Sequence, residues 1–494
     1  MIRIGDRAIL QVRGRPLGGA IDGSLVVGEP VQFVCRDGQI IERGPPTTET
    51  GESMVGSSDA FLIPSLTDSH AHLMASASRR VRLDLGPALA PDLASLFDRL
   101  RRAVAGPGEN WLVGAGFDEA LLAEHRAPSL AELDAVVGPR AVRVRHATRH
   151  ASLLSSTALA RISAAGLTES IFPVEPGSAL FFEREPSLTS LTGPPDGQEL
   201  CSALADLSRD WLRNGIGRIE DLTASNDAGR VRWLGAQRRE GRLAQSVAAW
   251  IGDADEFEPA RTAAGEWIEI VGVKLLAHDE ETVRSPRFLD AVARAHRRGL
   301  PVAIHAASPD VADAALDVLA SATPVVAGNE APPPRDRIEH AFLCPPALID
   351  RLRRAAVRVV VQPAFLTARQ EKYRHELEAV LWPWLQPLRS LLDAGVALAA
   401  GSDAPIGPGG VGPALRGGIL RGGESGAPAI GGSEALGLAE ALALWAHPFS
   451  AAAGLRAPAL GELADFTLLE VLPNEANGFR VEAAAVVVAG RRLL

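Results

Sequence analysis

The sequence of 494 residues predicts an α/β fold: a TIM-like (β/α)8 barrel, a small β-domain assembled from both termini, and a long insertion after the first barrel strand. Three observations predict this arrangement. Short strand-like segments separated by turns occupy both ends of the chain, apolar strands alternate with amphipathic helices through the middle, and one stretch interrupts that alternation. The predicted boundaries are 1–60 and 456–494 for the terminal β-domain, 61–455 for the barrel, and about 84–199 for the insertion.

The two ends of the chain have the pattern of short antiparallel strands. Strand-like segments cover 8–12, 24–27 and 31–35, and Asp37-Gly38 predicts a hairpin turn into a further strand at 39–41. The stretch 45–59 is rich in Thr, Gly and Ser and is predicted to be a loop. At the other end, segments 464–471 and 480–488 precede a turn at Ala489-Gly490 and a last strand at 491–494.

The middle of the chain alternates between strands and helices. Apolar, strand-like runs cover 268–276, 300–305, 337–340, 357–362 and 396–400, and helices are predicted at 286–298, 309–320 and 345–356. Strands that alternate with helices of about ten to fifteen residues indicate βαβ units and a parallel sheet. The stretch from about 84 to 199 lacks this rhythm, so it is predicted to be inserted.

Composition excludes several classes of function. Of 50 basic residues only Lys274 and Lys372 are lysine, and neither lies in the Gly-Lys-Ser/Thr context of a phosphate-binding P-loop. The net charge of -10 argues against binding to nucleic acid or to an anionic membrane surface. Three cysteines far apart predict neither a disulfide framework nor a zinc knuckle. Because neither a signal-peptide core nor a bilayer-spanning apolar run is visible, a cytoplasmic protein is predicted.

The first candidate metal ligands are two histidines in the motif Asp68-Ser69-His70-Ala71-His72, which follows the apolar run 61–66. Residues two apart on a strand point to the same face, so both imidazoles can reach one ion. Taken alone, however, the pattern is as consistent with two incidental histidines as with a metal site.

Four more polar residues occur at or near the ends of later strand candidates: Lys274, His305, His340 and Asp403. The intervals between them are 31, 35 and 63 residues. A βα unit of an eightfold barrel averages about 30 residues, so these steps are one, one and two units. The spacing places the four residues on barrel strands 4, 5, 6 and 8 if the two histidines lie on strand 1. Catalytic residues of such barrels converge at the carboxyl ends of the strands.

Four imidazoles, a carboxylate and a lysine together predict a metal site of nitrogen and oxygen ligands. An ammonium group repels cations, but burial beside metal ions favours the neutral amine. A neutral amine can take up carbon dioxide to form an anionic carbamate, which is able to bridge two metal ions.

These residues and their surroundings resemble the amidohydrolase superfamily, and within it the amidohydrolase-3 group typified by YtcJ-like proteins and N-substituted formamide deformylases. The similar segments are PSLTDSHAH, GVKLLAH, VAIHAAS, RIEHAFL, VVVQPAF and GSDAPIGP, with further likeness in WLVGAGFD, RHASLLSSTAL and GELADFTLLE. The resemblance covers nearly the whole chain. It implies a (β/α)8 barrel with a composite β-sandwich contributed by both termini.

The resemblance also implies a role for each residue of the set. His70, His72 and Asp403 would hold one divalent ion, and His305 and His340 would hold the other, with a carboxylated Lys274 between them. Zinc is the expected metal, with one or two ions per chain. A bound divalent ion lowers the pKa of water from about 15.7 to about 7. Asp403 would take the proton of that activated water and hand it to the leaving amine.

Four residues are predicted to contact the substrate: His150, His278, Arg284 and Gln362. For both histidines a purely structural role is the open alternative. After Lys274 the family commonly has Ala-Asp-Gly, whereas this chain has Ala277-His278-Asp279. Two smaller departures are Pro64-Ser65, where the family has Pro-Gly, and Ser155, where it has asparagine.

The sequence therefore predicts a metal-dependent hydrolase of an amide, N-formyl or related C–N bond in a small molecule, with Asp403 as general base and acid. Two alternatives stay open. One is a Schiff-base lyase that uses Lys274 as its nucleophile, and the other is a catalytically silent barrel that acts as a binding protein. The expected partner is a small-molecule substrate, without nucleic acid or membrane, and a homodimer is the default assembly.

Overall fold

The computed structural model describes residues 9–20, 23–47, 53–87, 89–105, 111–147, 151–183, 187–193, 197–322, 335–423, 427–450 and 454–494. The chain divides into two compact units. One unit comprises Met1–Leu73 and Ala205–Leu494, and the other comprises Met74–Leu204. The first unit contains the barrel and a sheet built from both termini, and the second contains a smaller sheet with its own helices.

The bounds of the elements follow the chain in four groups. The amino-terminal strands and the first barrel strand are β1 (Leu10–Gly19), β2 (Leu25–Val27), β3 (Val31–Arg36), β4 (Gln39–Gly44), β5 (Met54–Pro64) and β6 (Leu66–Ala71). The elements before the second barrel strand are α1 (Leu73–Val81), β7 (Leu83–Asp84), α2 (Leu93–Val104), β8 (Leu112–Phe117), α3 (Leu130–Val137), β9 (Val142–His146), β10 (Ala151–Leu154), α4 (Ser156–Ala164), β11 (Ile171–Pro173), β12 (Leu180–Glu183), α5 (Ser187–Thr192) and α6 (Gly197–Arg213).

The rest of the barrel consists of β13 (Ile216–Asp221), α7 (Ala228–Arg239), β14 (Ser246–Ile251), α8 (Phe257–Ala264), β15 (Glu269–Leu276), α9 (Glu280–Arg284), α10 (Pro286–Arg297), β16 (Val302–Ala306), α11 (Pro309–Ala322), β17 (Arg337–His340), α12 (Pro346–Ala355), β18 (Arg358–Val361), α13 (Phe365–Ala368), α14 (Gln370–Glu376), α15 (Leu388–Asp393), β19 (Ala397–Ala400), α16 (Val411–Leu420) and α17 (Leu438–Ala446). The carboxyl-terminal strands are β20 (Phe466–Leu469), β21 (Ala483–Val488) and β22 (Arg491–Arg492).

Eight parallel strands form the barrel, in the spatial order β6, β13, β14, β15, β16, β17, β18, β19. This arrangement confirms the predicted fold class. Strands β15, β16 and β17 are the fourth, fifth and sixth of the series and carry Lys274, His305 and His340, as the spacing predicted. The barrel strands are buried on both faces, which is why they read as nearly continuous apolar runs in the sequence.

The barrel closes where β6 meets the segment that follows β19. Backbone N–H of Asp403 donates to the carbonyl of His70 at 2.7 Å, and N–H of His72 donates to the carbonyl of Ala404 at 2.9 Å. Gly401 makes this approach possible, because a Cβ there would lie 2.5 Å from the backbone nitrogen of His70. The closure therefore passes through the same short segments that carry three of the predicted ligands.

Helix α10 shows how the outer layer follows from the sequence. Ser285 caps its amino terminus by accepting the backbone N–H of Phe288, and Pro286 occupies the first turn, where its missing N–H costs nothing. Phe288 and Val292 are buried on one face, while arginines cover the opposite, exposed face. The helix predicted for 286–298 is confirmed, with its end one residue earlier.

Strands from the two ends of the chain share one sheet, in the order β22, β21, β20, β5, β1, β3, β4, with β2 paired to β1. Its core combines Val12 and Phe33 from the amino-terminal end with Phe466 and Val487 from the carboxyl-terminal end, and all four are fully buried. The hairpin predicted at Asp37-Gly38 is present, and both residues have the positive φ that such a turn requires, 52° and 81°.

One prediction in this region is wrong in part. The loop expected for 45–59 ends earlier, because residues 54–59 belong to β5. The apolar run 61–66 is divided between two sheets, since 61–64 pair with β1 and β20 in the terminal sheet and Leu66 begins the barrel strand Leu66–Ala71. His70 lies on this first barrel strand, as the spacing predicted.

The second unit is built on a six-stranded sheet in the order β11, β12, β10, β9, β8, β7. Leu96, Phe117 and Leu153 belong to its buried core. At the end of β9, Nε2 of His146 lies 2.9 Å from Oε2 of Glu119 and 3.7 Å from Oδ1 of Asp118. Burial lowers the pKa of His146, but hydrogen bonds to these two carboxylates outweigh it and raise the pKa to about 9. A protonated imidazole therefore joins two carboxylates here.

Within the described ranges, no helix is both long enough and apolar enough to cross a membrane.

Candidate metal centre

The barrel brings all six predicted ligands to the carboxyl ends of its strands. His70 lies in β6 and His72 directly after it, while Lys274, His305 and His340 lie in β15, β16 and β17, and Asp403 follows β19. Consecutive parallel strands end at the same face of a barrel, so residues far apart in sequence meet there.

The carboxylate of Asp403 lies close to both His70 and His72. Its Oδ1 lies 3.1 Å from Nε2 of His72 and 3.5 Å from Nε2 of His70. The rings of His70 and His340 are 4.9 Å apart between centroids, and those of His305 and His340 are 4.4 Å apart. One ligand atom from each of His70, His340 and Asp403 lies within 4.8 Å of the other two, which is compact enough for all three to hold one ion.

Lys274 fits a site that holds cations, although an ammonium group would repel them. The side chain is only 2% exposed, and its Nζ has no hydrogen-bond partner in the part of the chain that the structure describes. Burial lowers the pKa of this amine to about 8, against an opposing contribution from Glu339. A buried amine without a partner is costly, so Lys274 has the environment of a group that acquires a further binding partner.

The charge states of the other ligands also suit a metal. Burial lowers the pKa of His70, of His305 and of His340, the last to about 3, so these imidazoles are neutral and keep a lone pair for a ligand. Burial raises the pKa of Asp403, but the hydrogen bond from His72 and the nearby imidazoles outweigh it and lower the pKa. The carboxylate is therefore ionised at neutral pH.

Two of the predicted ligands are held from behind by buried side chains. Nδ1 of His70 donates to Oε2 of Glu339 at 2.6 Å, and Nδ1 of His340 donates to Oε1 of Gln362 at 2.8 Å. Each bond leaves Nε2 as the atom that faces the cluster. The sequence analysis singled out Gln362 for a different role and did not single out Glu339, although Arg337 and Glu339 are charged residues in a strand that is buried throughout.

Asp68 fixes the segment that carries Asp403. Its carboxylate accepts the backbone N–H of Ser402 at 2.9 Å and the Ser402 hydroxyl at 2.6 Å. Burial raises the pKa of Asp68 to about 6, although these hydrogen bonds oppose the change. Asp68 thus ties the first barrel strand to the residue next to a ligand.

The backbone at two of the ligands adopts left-handed conformations that non-glycine residues seldom take. His340 has φ 80°, Ala341 has φ 44° and Asp403 has φ 54°. Such conformations cost about 1–3 kcal/mol each and persist only where the surrounding structure imposes them. Two of the predicted ligands, His340 and Asp403, are thus held in conformations that the surrounding structure imposes.

Comparison with known proteins places the chain in a family. The amidohydrolase family model matches residues 58–493. The chain belongs to the amidohydrolase family. The YtcJ protein of Bacillus subtilis (strain 168), an amidohydrolase by name, is 24% identical over 458 residues, 81% of each chain. Protein LONG AFTER FAR-RED 3 of Arabidopsis thaliana is 24% identical over 440 residues, 78% of this chain and 73% of that protein.

Solved structures share the fold. An uncharacterized metal-dependent hydrolase from Pyrococcus horikoshii OT3 matches with a TM-score of 0.69 at 20% identity, over 94% of this chain and 98% of that chain. Membership of the amidohydrolase family makes this chain a hydrolase by class, and confirms the resemblance drawn from its motifs.

The four predicted substrate residues of this amidohydrolase differ in their surroundings. His278 is exposed, and its ring lies edge-on to that of His305 at 5.2 Å between centroids, so it borders the ligand cluster. His150 lies outside the described residues. Phe342, which the sequence did not single out, stacks on His340 at 5.4 Å.

The remaining two predicted substrate residues, Arg284 and Gln362, make other contacts in the structure. The Arg284 side chain is 51% exposed and pairs with Glu280 and Asp317, because it ends a short surface helix. Gln362 is fully buried and lies behind His340, where its amide holds the imidazole. That these two side chains contact the substrate therefore stays a prediction.

Proposed function

We propose that this amidohydrolase is a metal-dependent enzyme that hydrolyses a C–N bond, in an amide, N-formyl or related group, of a small molecule. It would hold one or two divalent ions, zinc by preference, among His70, His72, Lys274, His305, His340 and Asp403, with Lys274 carboxylated.

The convergence of these six side chains carries the proposal. Four imidazoles, one ionised carboxylate and one buried amine without a partner meet at the end of the barrel where such enzymes place their chemistry. Neutral imidazole and carboxylate are ligands that suit zinc. A carbamate on Lys274 would replace a buried, unpaired amine by an anion between the ligands. The side chain would then attract the metal ions, whereas an ammonium group would repel them.

Asp403 is the residue best placed to move protons. A bound divalent ion would supply an activated water and polarise the carbonyl of the substrate. The ionised carboxylate of Asp403 accepts a proton from the attacking water and delivers it to the leaving nitrogen, so that an acid and an amine are released. His278, beside His305 and open to solvent, is positioned to contact the substrate on one side of the cluster.

A second candidate function rests on the same lysine. A buried amine with a pKa lowered to about 8 is a better nucleophile toward carbonyl groups than an ordinary lysine, as Schiff-base enzymes require. In that reaction class the four histidines have no evident use. Borohydride in the presence of carbonyl substrates would attach the substrate irreversibly to Lys274 if the chain were a lyase, and would leave a hydrolase unlabelled.

Metal analysis tests the leading proposal directly. Protein purified without chelator should contain about one to two divalent ions per chain by elemental mass spectrometry, as the two-site arrangement of such centres requires. Dialysis against a chelator should abolish hydrolysis, and zinc should restore it. A chain that contains no metal and binds none on reconstitution would contradict the proposal.

The substrate class can be found with the reconstituted enzyme. A panel of N-formyl amines, N-acyl amines, lactams and matched esters separates C–N from C–O hydrolysis, with release of amine or alcohol as the measured product. Turnover of esters alone would overturn the C–N assignment while leaving metal dependence intact. The chelated enzyme is the control for each substrate.

A further inference from the structure

The two buried histidines of the cluster, His70 and His340, have partners of different charge. Behind His70 lies Glu339, a carboxylate whose side chain is 0% exposed. Behind His340 lies Gln362, a neutral amide that is likewise 0% exposed. The two hydrogen bonds are otherwise alike, since each joins Nδ1 of a histidine to a side-chain oxygen, at 2.6 and 2.8 Å.

The carboxylate behind His70 is held in place by a network of buried, charged side chains. Oε1 of Glu339 accepts Nε of Arg337 at 2.8 Å, and Arg337 also pairs with Glu220 at 2.5 Å and donates to the carbonyl of Ser69 at 2.8 Å. Glu339 is thus a carboxylate in direct contact with His70, with its other oxygen fixed by Arg337. The ring of Trp250 donates its Nε1–H to Glu220 at 3.1 Å and fixes the far end of this chain of contacts.

The partner of His340 is held just as firmly but without charge. The backbone N–H of Gln362 donates to Oε1 of Gln386 at 3.1 Å, and Nε2 of Gln386 donates to the carbonyl of Gln362 at 3.0 Å. His305, the neighbouring ligand, is half-buried and has no hydrogen-bond partner in the described part of the chain. This side of the cluster therefore has no anion behind its imidazoles.

We propose that Glu339 is a positioning residue that makes the His70–His72–Asp403 side of the cluster the tighter of two cation positions, while the neutral Gln362 leaves the His305–His340 side the weaker one. This inference rests on the proposed metal-dependent function. It predicts that the chain binds divalent ions in two separable steps, and that the first ion goes to the side that includes His70.

The physical reason is the effect of a second partner on an imidazole ligand. A carboxylate that accepts the Nδ1 proton fixes the tautomer and the ring orientation and makes Nε2 more basic, and loss of such a partner typically weakens metal binding about 10–100-fold. An amide oxygen fixes the same tautomer but adds no negative charge. The difference between the two sides is thus a property of this chain's own residues.

Two single substitutions, one at Glu339 and one at Gln362, separate the effect of the negative charge from the effect of side-chain shape. Glu339→Gln removes the anion behind His70, and Gln362→Glu places one behind His340, with almost no change of shape in either case. Titration of the full-length apo protein with cobalt(II), followed by its visible absorption, gives the two affinities. We expect the first affinity to fall about 10–100-fold in Glu339→Gln and the second to rise in Gln362→Glu.

Further measurements separate the possible outcomes. Circular dichroism and thermal unfolding of the apo proteins show whether each variant folds, and Glu339→Asp, which keeps the charge, should retain part of the affinity. Equal affinities in the unchanged protein, or a Glu339→Gln variant that folds and binds the first ion undiminished, would overturn the inference. An unchanged protein that binds no cobalt or zinc would instead overturn the proposed function.

Discussion

Lys274 lies in an environment that disfavours the charged ammonium form of an ordinary lysine. Its amine is buried among imidazoles, lacks a hydrogen-bond partner in the described residues, and has a lowered pKa of about 8. The chain otherwise uses arginine for 48 of its 50 basic residues. A guanidinium stays protonated under all ordinary conditions and cannot form a carbamate, so only a lysine could carry the carbamate proposed for this position.

Lys274→Arg should abolish metal bridging and reduce kcat/KM by at least about 100-fold, because a permanent cation would replace the group between the ligands. Metal content per chain and hydrolysis of the best substrate are the measurements. Lys372→Arg is the matched control, since Lys372 is partly exposed and only 3.8 Å from Glu376 on the same helix. Full activity in Lys274→Arg would show that the lysine has no role at the metal.

His146 gives the second unit a dependence on pH. Its pKa rises from 6.5 to about 9 on folding, so between these values the folded chain binds more protons than the unfolded chain. The stabilisation is therefore complete below about pH 6.5 and is lost as pH rises toward 9. At about 1.4 kcal/mol per pKa unit, the change is at most about 3 kcal/mol.

Urea unfolding of the wild type and of His146→Gln at pH 6 and pH 9 measures this effect. The free energy of unfolding of the wild type should fall between the two pH values, and the difference between the two proteins should narrow at pH 9. A gap between the two proteins that stays constant with pH would mean that the imidazole is not protonated in the fold.

At the scale of elements, the closure between β6 and the segment after β19 is the most demanding contact of the barrel. Gly401→Ala should destabilise the chain by about 1–3 kcal/mol and weaken metal binding, because the new methyl group would meet the backbone of His70. Gly44→Ala is the control, since a Cβ there meets nothing within 4 Å and should change stability by less than about 0.5 kcal/mol. Chemical unfolding and metal titration report both quantities, and equal effects in the two variants would contradict the steric argument.

The sequence predicted the bounds of some strands and helices better than those of others. Strands β15 to β19 and helices α10 to α12 were predicted nearly to the residue, because apolar runs, Pro and Ser caps and βα spacing all agree there. Strand β6 carries His70 as predicted, but its limits could not be read from an apolar run, since its sequence is LTDSHA. Local sequence signals thus located the alternating strands and helices of the barrel. They did not define a strand whose side chains are determined by tertiary contacts.

The site could be predicted only in part for the same reason. The ligands occur at strand ends with regular spacing, which a single sequence reveals. The roles of Glu339 and Gln362 become clear only in the fold, because Glu339 contacts His70 across the barrel interior and Gln362 contacts His340 on the neighbouring strand. Arg284 shows the converse, since its motif position suggested a pocket residue and its surface ion pairs are visible only in the fold.

At the scale of the whole molecule, the terminal sheet depends on both ends of the chain. Phe466 pairs with Pro64 and Leu468 pairs with Leu62, and both carboxyl-terminal side chains are fully buried. Removal of 464–494 would expose the edge of β5 and delete several buried core side chains, of which Phe466 and Leu468 alone are worth about 2–5 kcal/mol each. Because a domain is stable by only about 5–15 kcal/mol, this truncation should yield no soluble, cooperatively unfolding protein.

Removal of 491–494 alone is the matched control. It deletes the two exposed residues of β22 and should lower the free energy of unfolding by less than about 2 kcal/mol. Soluble yield and the thermal midpoint distinguish the two truncations. A soluble, active protein that lacks 464–494 would show that the barrel does not need the strands contributed by the carboxyl terminus.

The closure of the barrel also sets when the metal centre can exist. His72 and Asp403 are 331 residues apart in sequence, and Ser402 and Asp68 are 334 apart, yet they are in contact. Contacts of such long range form late, because the entropy of closing the loop must be offset by structure already in place. A growing chain on the ribosome therefore cannot bring these side chains together until its last barrel strand has emerged, so a metal ion held by the proposed ligand set could bind only at the final stage of folding.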